Sequence, residues 1–381
     1  MQHNTSPLGK VSVETFLAEY WQKKPLLIRQ AFDNFQSPLS PDELAGLACE
    51  EEINSRIVIE KGGDQPWQAI HGPMEESIFS RLPDKHWSLV VNDLEKYIPE
   101  LAEITDRFRF IPEWYLDDLM SSYAAPEGSV GPHVDLYDVF ILQGSGQRRW
   151  QISTRPVAED NVIPDIALRL QKEFTAEQEW ILESGDMMYI PAGVSHHGVS
   201  LGESMSYSIG FRATSHADLL NDFIAYITRD LPINETYRLP EQKRLIHANE
   251  ITPAAIEQLR KIFSAYLDPE HPELSRWFGR FVSDPKVDYI NDCKHPLECF
   301  EDLSFLNLHR HPASRFAFTR EGDRARLFID GEDYVVASAF AEQLCENRSI
   351  DMSKLAGMSS AQEKELVREL YNKGKIYRPD P

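Results

Sequence analysis

The sequence predicts a mainly β domain followed by helices and a small mixed domain, and three patterns carry that prediction. Between residues 121 and 212, short apolar runs alternate with turn sequences, which is typical of a β-sandwich or β-barrel. Further along the chain, apolar residues recur at helical spacing. Residues 326–336 form a hairpin sequence around Asp330-Gly331, and a helix is expected at residues 359–373. Helices beside a hairpin indicate a winged-helix-like C-terminal domain.

The N-terminal region is predicted to begin with an amphipathic helix at residues 13–21, which Pro25 prevents from continuing. Residues 112–120 are expected to form a short helix. Three apolar runs are predicted to be strands: residues 26–28, 57–59 and 88–91.

The β domain itself is predicted from apolar segments separated by turn sequences. Gly144-Ser145-Gly146 would join the first two segments as a hairpin, and residues 183–186 would form a turn before the fourth. The five segments are residues 139–142, 147–152, 180–182, 187–190 and 204–212.

Two motifs in this β region predict a metal site. His133 and Asp135 are two residues apart, so on a strand their side chains would lie on one face. The segment Gly185-x5-Pro191-x-Gly193-x2-His196 would bring a second imidazole from a bend after another strand. Two histidines and one carboxylate suit iron(II), although nickel, cobalt and manganese accept the same ligands. His197 is the rival to His196, and the motif spacing favours His196.

Charge and composition narrow the class of protein. The chain has 381 residues with 39 basic and 61 acidic side chains, giving a formal net charge of −22. Such a field repels nucleic acids and anionic membranes, and it either keeps the protein soluble or steers a basic partner towards it. No apolar run is long enough for a membrane span, and residues 1–10 lack an apolar signal core. A cytoplasmic protein with no membrane contact is expected.

The helical region carries apolar stripes whose burial the sequence leaves open. Leu219, Phe223 and Ile227 share one helical face, and Thr252-Pro253 caps a helix that carries a second stripe. These stripes would face either an internal core or another subunit. Acidic and basic groups nearly balance after residue 300, so direct nucleic-acid binding is not expected there.

The four cysteines are expected to be reduced thiols. A structural zinc site is an alternative for one group of side chains, although their spacing is not that of a zinc finger. That group is Cys293, His295, Cys299, His309 and His311.

The two metal-site motifs resemble those of a known family. Gly185-x5-Pro191-x-Gly193-x2-His196 resembles the second cupin motif, and His133-x-Asp135 resembles the first, in the form used by JmjC-type 2-oxoglutarate oxygenases. The resemblance implies a double-stranded β-helix of the cupin or jelly-roll type that uses Fe(II), 2-oxoglutarate and O2. It also implies that Arg148 binds the distal carboxylate of 2-oxoglutarate, whereas Arg149 should face the other way.

Other segments extend the resemblance to the ribosomal oxygenases. These are residues 20–29, 131–140 and 207–212. The likeness is strongest to the bacterial arginine hydroxylases of large-subunit ribosomal protein sixteen, which implies a basic ribosomal protein substrate and a homodimer. The implied domains are a JmjC cupin domain at residues 1–214, a helical dimerisation domain at 215–288 and a winged-helix-like domain at 289–381. His197 departs from this group, in which an acidic residue follows the last ligand.

Two alternatives remain open. The chain could be an oxygenase of the same chemistry acting on a histidyl residue, a methyl-lysine, a modified tRNA or a small molecule. It could also be a non-oxidative metal cupin or a binding protein with an inactive site. The acidic charge argues against tRNA, and the presence of His133, Asp135, His196 and Arg148 together argues against an inactive site.

Overall fold

A computed structural model describes most of the chain. The described residues are 6–62, 66–158, 160–164, 170–212, 214–239, 247, 249–285, 296 and 306–379. The chain divides into two compact units, residues 1–213 with 311–313 and residues 214–310 with 314–381. The finer division with boundaries after residues 214 and 288 remains a prediction. Cys293, His295 and Cys299 of the alternative zinc site lie outside the described residues.

The first unit contains two antiparallel sheets that form the predicted jelly roll. The eight-stranded sheet has the order β1-β10-β7-β12-β5-β4-β2-β3, and the four-stranded sheet has the order β6-β11-β8-β9. Their strands are β1 (Leu26–Ile28), β2 (Ser55–Glu60), β3 (Trp67–His71), β4 (Trp87–Val91), β5 (Leu116–Ala124), β6 (His133–Val134), β7 (Val139–Ser145), β8 (Arg148–Ser153), β9 (Gln178–Leu182), β10 (Met187–Ile190), β11 (Ser195–Ser200) and β12 (Ser204–Phe211).

Among the described residues of this unit, three α-helices and three short 3₁₀ helices accompany these sheets. The 3₁₀ helices are Glu76–Arg81, Leu94–Lys96 and Glu113–Tyr115, and the α-helices are α1 (Val13–Glu19), α2 (Pro41–Leu47) and α3 (Pro99–Asp106). Ser12 caps α1, and Ser40 forms a capping box with Glu43 on α2. Phe16 of α1 packs against Phe140 and Tyr189 with ring centroids 5.5 and 5.0 Å apart, which fixes α1 on the large sheet.

A separate apolar cluster fills part of the space between the two sheets. It combines Ile141 and Met188 of the large sheet with Trp150, Ile152 and Leu182 of the small sheet. Because strand residues alternate between faces, this cluster identifies the inward-facing positions of β8 as Arg148, Trp150 and Ile152. The functional side chains described below lie on that inward face.

The prediction of a helix at residues 112–120 is wrong. One 3₁₀ turn, Glu113–Tyr115, is followed directly by β5 (Leu116–Ala124), which pairs with β12 on one side and β4 on the other. Leu116, Leu119 and Met120 have helical spacing, which misled the prediction. Pairing on both edges satisfies the backbone of β5, and this tertiary contribution outweighs local propensity. The predicted strands at residues 26–28, 57–59 and 88–91 are confirmed.

The second unit contains a helical part and a mixed part. Its helices are α4 (His216–Thr228), α5 (Pro253–Tyr266), α6 (Leu274–Ser283), α7 (Ser338–Glu346), α8 (Met352–Met358) and α9 (Ala361–Asn372). Its strands are β13 (Leu308–Arg310), β14 (Phe316–Glu321), β15 (Arg324–Ile329), β16 (Glu332–Ala337), β17 (Ser349–Ile350) and β18 (Ile376–Tyr377).

The predicted hairpin and last helix of the second unit are confirmed. Asp330 and Gly331 both have positive φ, at 47° and 79°, as the two-residue turn between β15 and β16 requires. Ser360 caps α9, and Gly374 ends it with a φ of 68°. The sheet β14-β15-β16 and helices α7 to α9 share one apolar core. Within the described ranges, no helix has both the length and the apolar character needed to cross a membrane.

Candidate active site

The strand register brings the two histidines of the predicted metal site together. β6 pairs antiparallel with β11, and His133 lies directly opposite His196. Directly opposite residues of an antiparallel pair point to the same face. Asp135 follows immediately after β6, and its backbone carbonyl accepts a hydrogen bond of 2.8 Å from the amide of Gly193. That bond ties the two motifs to each other.

The three side chains converge on one point. Oδ2 of Asp135 is 3.7 Å from Nε2 of His133 and 3.5 Å from Nε2 of His196. One ligand atom from each side chain lies within 4.8 Å of the other two. Within the parts of the chain that the structure describes, this is the one group of at least three His, Cys, Asp or Glu side chains close enough to share a metal ion.

The outer hydrogen bonds of both imidazoles leave their Nε2 atoms available. Nδ1 of His133 is 2.9 Å from the carbonyl oxygen of Gly131, and Nδ1 of His196 is 3.1 Å from that of Val194. Since each carbonyl requires a donor, Nδ1 carries a proton in both rings, and Nε2 is the nitrogen that remains for a metal ion. Burial and the neighbouring His133 lower the pKa of His196 to about 4, so its ring is neutral, as metal binding requires.

His197 lies on the opposite face of β11 from this triad. It pairs with Gln151, and its ring packs edge-on against Phe174 with centroids 5.9 Å apart. Arg149 is also an outward-facing residue of β8, opposite Val199. The alternation therefore places His196 and Arg148 on one face of the small sheet and His197 and Arg149 on the other.

Arg148 is a buried cation that has no acidic partner in the described part of the chain. The residue is 6% exposed and lies opposite Ser200, roughly 13 Å along β8 from the position opposite His196. Its guanidinium donates hydrogen bonds to three serine hydroxyls: Ser122 at 2.9 Å, Ser204 at 3.1 Å and Ser206 at 2.8 Å. It forms no ion pair with any carboxylate among the described residues.

The environment of Arg148 favours an anionic ligand. Desolvation alone lowers its pKa to about 10, so the guanidinium stays charged at neutral pH. A buried charge with only neutral partners is costly unless an anion joins it. The donor set at the triad and the charge at Arg148 thus fit a metal ion and an organic acid held on one inward face.

Two acidic side chains of the β domain, Asp138 and Asp118, have different surroundings. Asp138 is buried and accepts hydrogen bonds from the hydroxyl of Tyr189 and from Nε2 of Gln22, and burial raises its pKa. Asp118 lies beside Gly210. If position 210 carried a Cβ, that atom would be 2.9 Å from the Asp118 carboxylate and 3.8 Å from the ring of Tyr137. Asp138 therefore connects Tyr189 with Gln22 through its carboxylate, whereas Asp118 and Tyr137 flank Gly210, which has no side chain.

Some residues of this inward face were not predicted. Trp150 could have been found, because it lies two residues from Arg148 on the same strand. Ser122, Ser204 and Ser206 come from β5 and the distant β12, and no local sequence signal connects them with Arg148.

Two protein-family models match the chain, one mainly in the first unit and one in the second. Residues 103–219 match the family described as JmjC domain, and residues 268–377 match the ROXA-like winged helix. The chain is 38% identical over 272 residues to the ribosomal protein uL16 3-hydroxylase of Escherichia coli, covering 71% of each chain. It is 37% identical over 379 residues to a probable ribosomal oxygenase of Haemophilus influenzae, covering 93% of this chain and 90% of that one.

Solved structures give the same likeness. The crystal structure of the E. coli ribosomal oxygenase YcfD superposes with a TM-score of 0.82 at 30% identity, covering 97% of this chain and 99% of that one. YcfD in complex with cobalt and 2-oxoglutarate superposes with a TM-score of 0.81 at 32% identity, with the same coverage.

Proposed function

This chain belongs to the ribosomal oxygenases, which are JmjC-domain enzymes, and from that premise we propose that it hydroxylates an arginyl residue of the large-subunit protein uL16 with Fe(II), 2-oxoglutarate and O2. The observation that carries the proposal is the pairing of a His–Asp–His triad with a buried, unneutralised guanidinium on one inward face. The proposed substrate would place the enzyme in the cytoplasm.

The metal would be held by His133, Asp135 and His196. Iron(II) bound there would supply activation of O2 for insertion of one oxygen atom into a C–H bond. The carbonyls of Gly131 and Val194 orient the two rings and fix the tautomer in which Nε2 faces the metal. The amide of Gly193 holds the chain at Asp135, so the carboxylate keeps its position relative to the rings.

Arg148 would bind the carboxylate of 2-oxoglutarate farther from the metal. Its fork presents several N–H groups to an anion, and the serine hydroxyls around it keep the guanidinium in a fixed orientation. Support comes from YcfD, which was solved with cobalt and 2-oxoglutarate and with cobalt and succinic acid. The apolar cluster around Trp150 and Ile152 would exclude water between the two ends.

An arginyl target is supported by charge and by shape. The chain carries a net charge of −22, which attracts a basic protein. Asp118 and the ring of Tyr137 flank Gly210, and a carboxylate beside an aromatic ring is suited to a guanidinium. The E. coli relative is named a uL16 3-hydroxylase.

The decisive experiment is a reaction of the full chain with purified uL16, Fe(II), 2-oxoglutarate and O2. Intact-mass analysis should show a gain of one oxygen atom, tandem mass spectrometry should localise it to an arginine, and succinate should accumulate in equal amount. The His133→Ala variant is the control. If neither product exceeds that control, the oxygenase assignment fails; if succinate forms but uL16 is unchanged, only the substrate assignment fails.

The apolar stripe of the helical region supports a homodimer. None of the fourteen residues of α5 is buried, although Ile256, Leu259 and Phe263 share one of its faces and are 39%, 38% and 55% exposed. Leu220 of α4 is 59% exposed. A second copy of the chain would cover these side chains.

Light scattering tests the homodimer. The wild-type protein should have twice the 43.8 kDa mass of one chain, and Phe263→Glu should produce monomers. Lys261→Glu, which introduces the same side chain at an exposed position two residues away, should leave the dimer intact. A monomeric wild type would contradict the homodimer and leave the chemistry unaffected.

A further inference from the structure

Trp150 occupies the middle of the inward-facing strip on β8. Arg148 lies opposite Ser200, Trp150 opposite Gly198 and Ile152 opposite His196. The indole is therefore between the guanidinium that attracts an anion and the imidazole that faces the metal. Trp150 is 6% exposed, and its ring centroid is 6.0 Å from that of His196.

The missing side chain of Gly198 determines where this ring lies. A Cβ at Gly198 would come within 2.8 to 2.9 Å of three carbons of the indole. Any larger residue at position 198 would push the ring away from β11. Glycine thus lets the indole rest against the strand that carries His196, and the ring belongs to the same apolar cluster as Ile141 and Met188.

The indole N–H of Trp150 has no acceptor among the described residues. Its Nε1 is buried and makes no hydrogen bond. Two other tryptophans show how this chain normally satisfies that group: Nε1 of Trp277 donates to Asp222 at 2.6 Å, and Nε1 of Trp87 donates to the carbonyl of Pro83 at 2.8 Å. A buried donor without an acceptor costs about 1–3 kcal/mol, so its presence needs a reason.

We infer that the indole N–H of Trp150 donates a hydrogen bond to an oxygen of the dicarboxylate cosubstrate and thereby positions it between the triad and Arg148. This inference rests on the proposed function. The indole can only donate, so its partner must be an acceptor, and 2-oxoglutarate has carboxylate and keto oxygens along its length. Arg148 supplies charge at one end of the strip, whereas a fixed, uncharged donor at its middle supplies orientation.

Binding experiments on the full chain test the inference without requiring turnover. The Trp150→Phe variant keeps an aromatic ring and removes the N–H. Calorimetric titration of 2-oxoglutarate into Mn(II)-loaded protein under anaerobic conditions should show about tenfold or greater weakening, because hydrogen bonds to charged groups have about that effect on affinity. The Mn(II) affinity should be unchanged. Trp277→Phe is the control with the same substitution, since Trp277 lies on α6 in the second unit, and it should bind 2-oxoglutarate like the wild type.

A spectroscopic measurement on the wild type separates the N–H from the shape of the ring. In Zn(II)-loaded protein, addition of 2-oxoglutarate should shift the indole ¹⁵N–¹H signal of Trp150 and slow its exchange with solvent. Equal affinity of Trp150→Phe and wild type, or an indole signal that 2-oxoglutarate leaves unchanged, would overturn the inference. If the metal-loaded wild type itself binds no 2-oxoglutarate, it is the proposed function that fails.

Discussion

The His–Asp–His triad and Arg148 lie at the two ends of the inward-facing strip, and they differ in whether their polar groups already have partners of matching charge. At the triad, both imidazoles already have outer hydrogen bonds to backbone carbonyls that orient them, and Oδ2 of Asp135 lies within 3.7 Å of both Nε2 atoms. At the other end, Arg148 is a positive charge whose hydrogen-bond partners among the described residues are hydroxyl and carbonyl oxygens. The triad is therefore organised before a metal arrives, whereas Arg148 gives up stability that only an anionic ligand restores. Substitution of a triad residue should therefore abolish metal binding. Substitution of Arg148 should weaken binding of the anion without lowering the stability of the ligand-free protein.

The largest effect is expected at the triad. Asp135→Ala removes the one carboxylate between the two histidines and should reduce turnover to background, exceeding the roughly 100-fold loss that follows removal of an outer hydrogen-bond partner. Metal affinity should fall with it, as measured by competition with a chelator. Asp84→Ala, at an exposed acidic position, should change neither quantity. Retained metal binding in Asp135→Ala would show that the triad is not the ligand set.

Arg148→Met should separate binding from stability. We expect the affinity for 2-oxoglutarate to fall about 100-fold, because a buried charge-assisted interaction is lost. The ligand-free protein should be as stable as the wild type or about 1–2 kcal/mol more stable, since an unneutralised buried cation is removed. Thermal unfolding without 2-oxoglutarate measures the stability of the free protein, and unfolding at increasing 2-oxoglutarate concentrations measures the affinity. Arg155→Met, at an exposed position, is the control. A strong loss of ligand-free stability would mean that Arg148 is a structural residue.

Glu95 is a buried acidic residue and can be compared with the buried basic residue Arg148. It is 5% exposed and accepts a hydrogen bond of 2.8 Å from the amide of Leu119, and desolvation raises its pKa to about 8. The folded state then holds a proton that the unfolded state releases above its ordinary pKa of 4.5. Stability should fall by roughly 5 kcal/mol as pH rises from 4.5 through 8, because each unit of the pKa difference corresponds to about 1.4 kcal/mol. Glu95→Gln should flatten this slope in urea unfolding, and an unchanged slope would rule out Glu95 as its cause.

The smallest effect is expected from the serines. Ser122→Ala removes one hydroxyl partner of Arg148 and should weaken 2-oxoglutarate binding about threefold to tenfold. Ser121→Ala is the matched control, because the neighbouring residue of a strand points to the other face. Equal effects of the two substitutions would indicate a general weakening of β5 and no specific support of the guanidinium.

The same comparison explains what the sequence could reveal. The triad was predictable because His133 and Asp135 are two residues apart and because Pro191 and Gly193 indicate a bend before His196. Arg148 was reached by family resemblance, and its serine partners could not be predicted, since they lie on strands that only the folded sheets bring together. β5 was mistaken for a helix because the pairing of both its edges is also a tertiary property.

The most direct test is an anaerobic titration of 2-oxoglutarate into Fe(II)-loaded protein, followed by the visible charge-transfer absorption of the complex. The wild type should saturate with one equivalent of 2-oxoglutarate per chain. Asp135→Ala should show no absorption at any concentration, and Arg148→Met should need about 100-fold more 2-oxoglutarate to reach half-saturation. A wild type that shows no absorption, or an Arg148→Met variant that saturates like the wild type, would contradict a site with the metal at one end of the strip and the anion at the other.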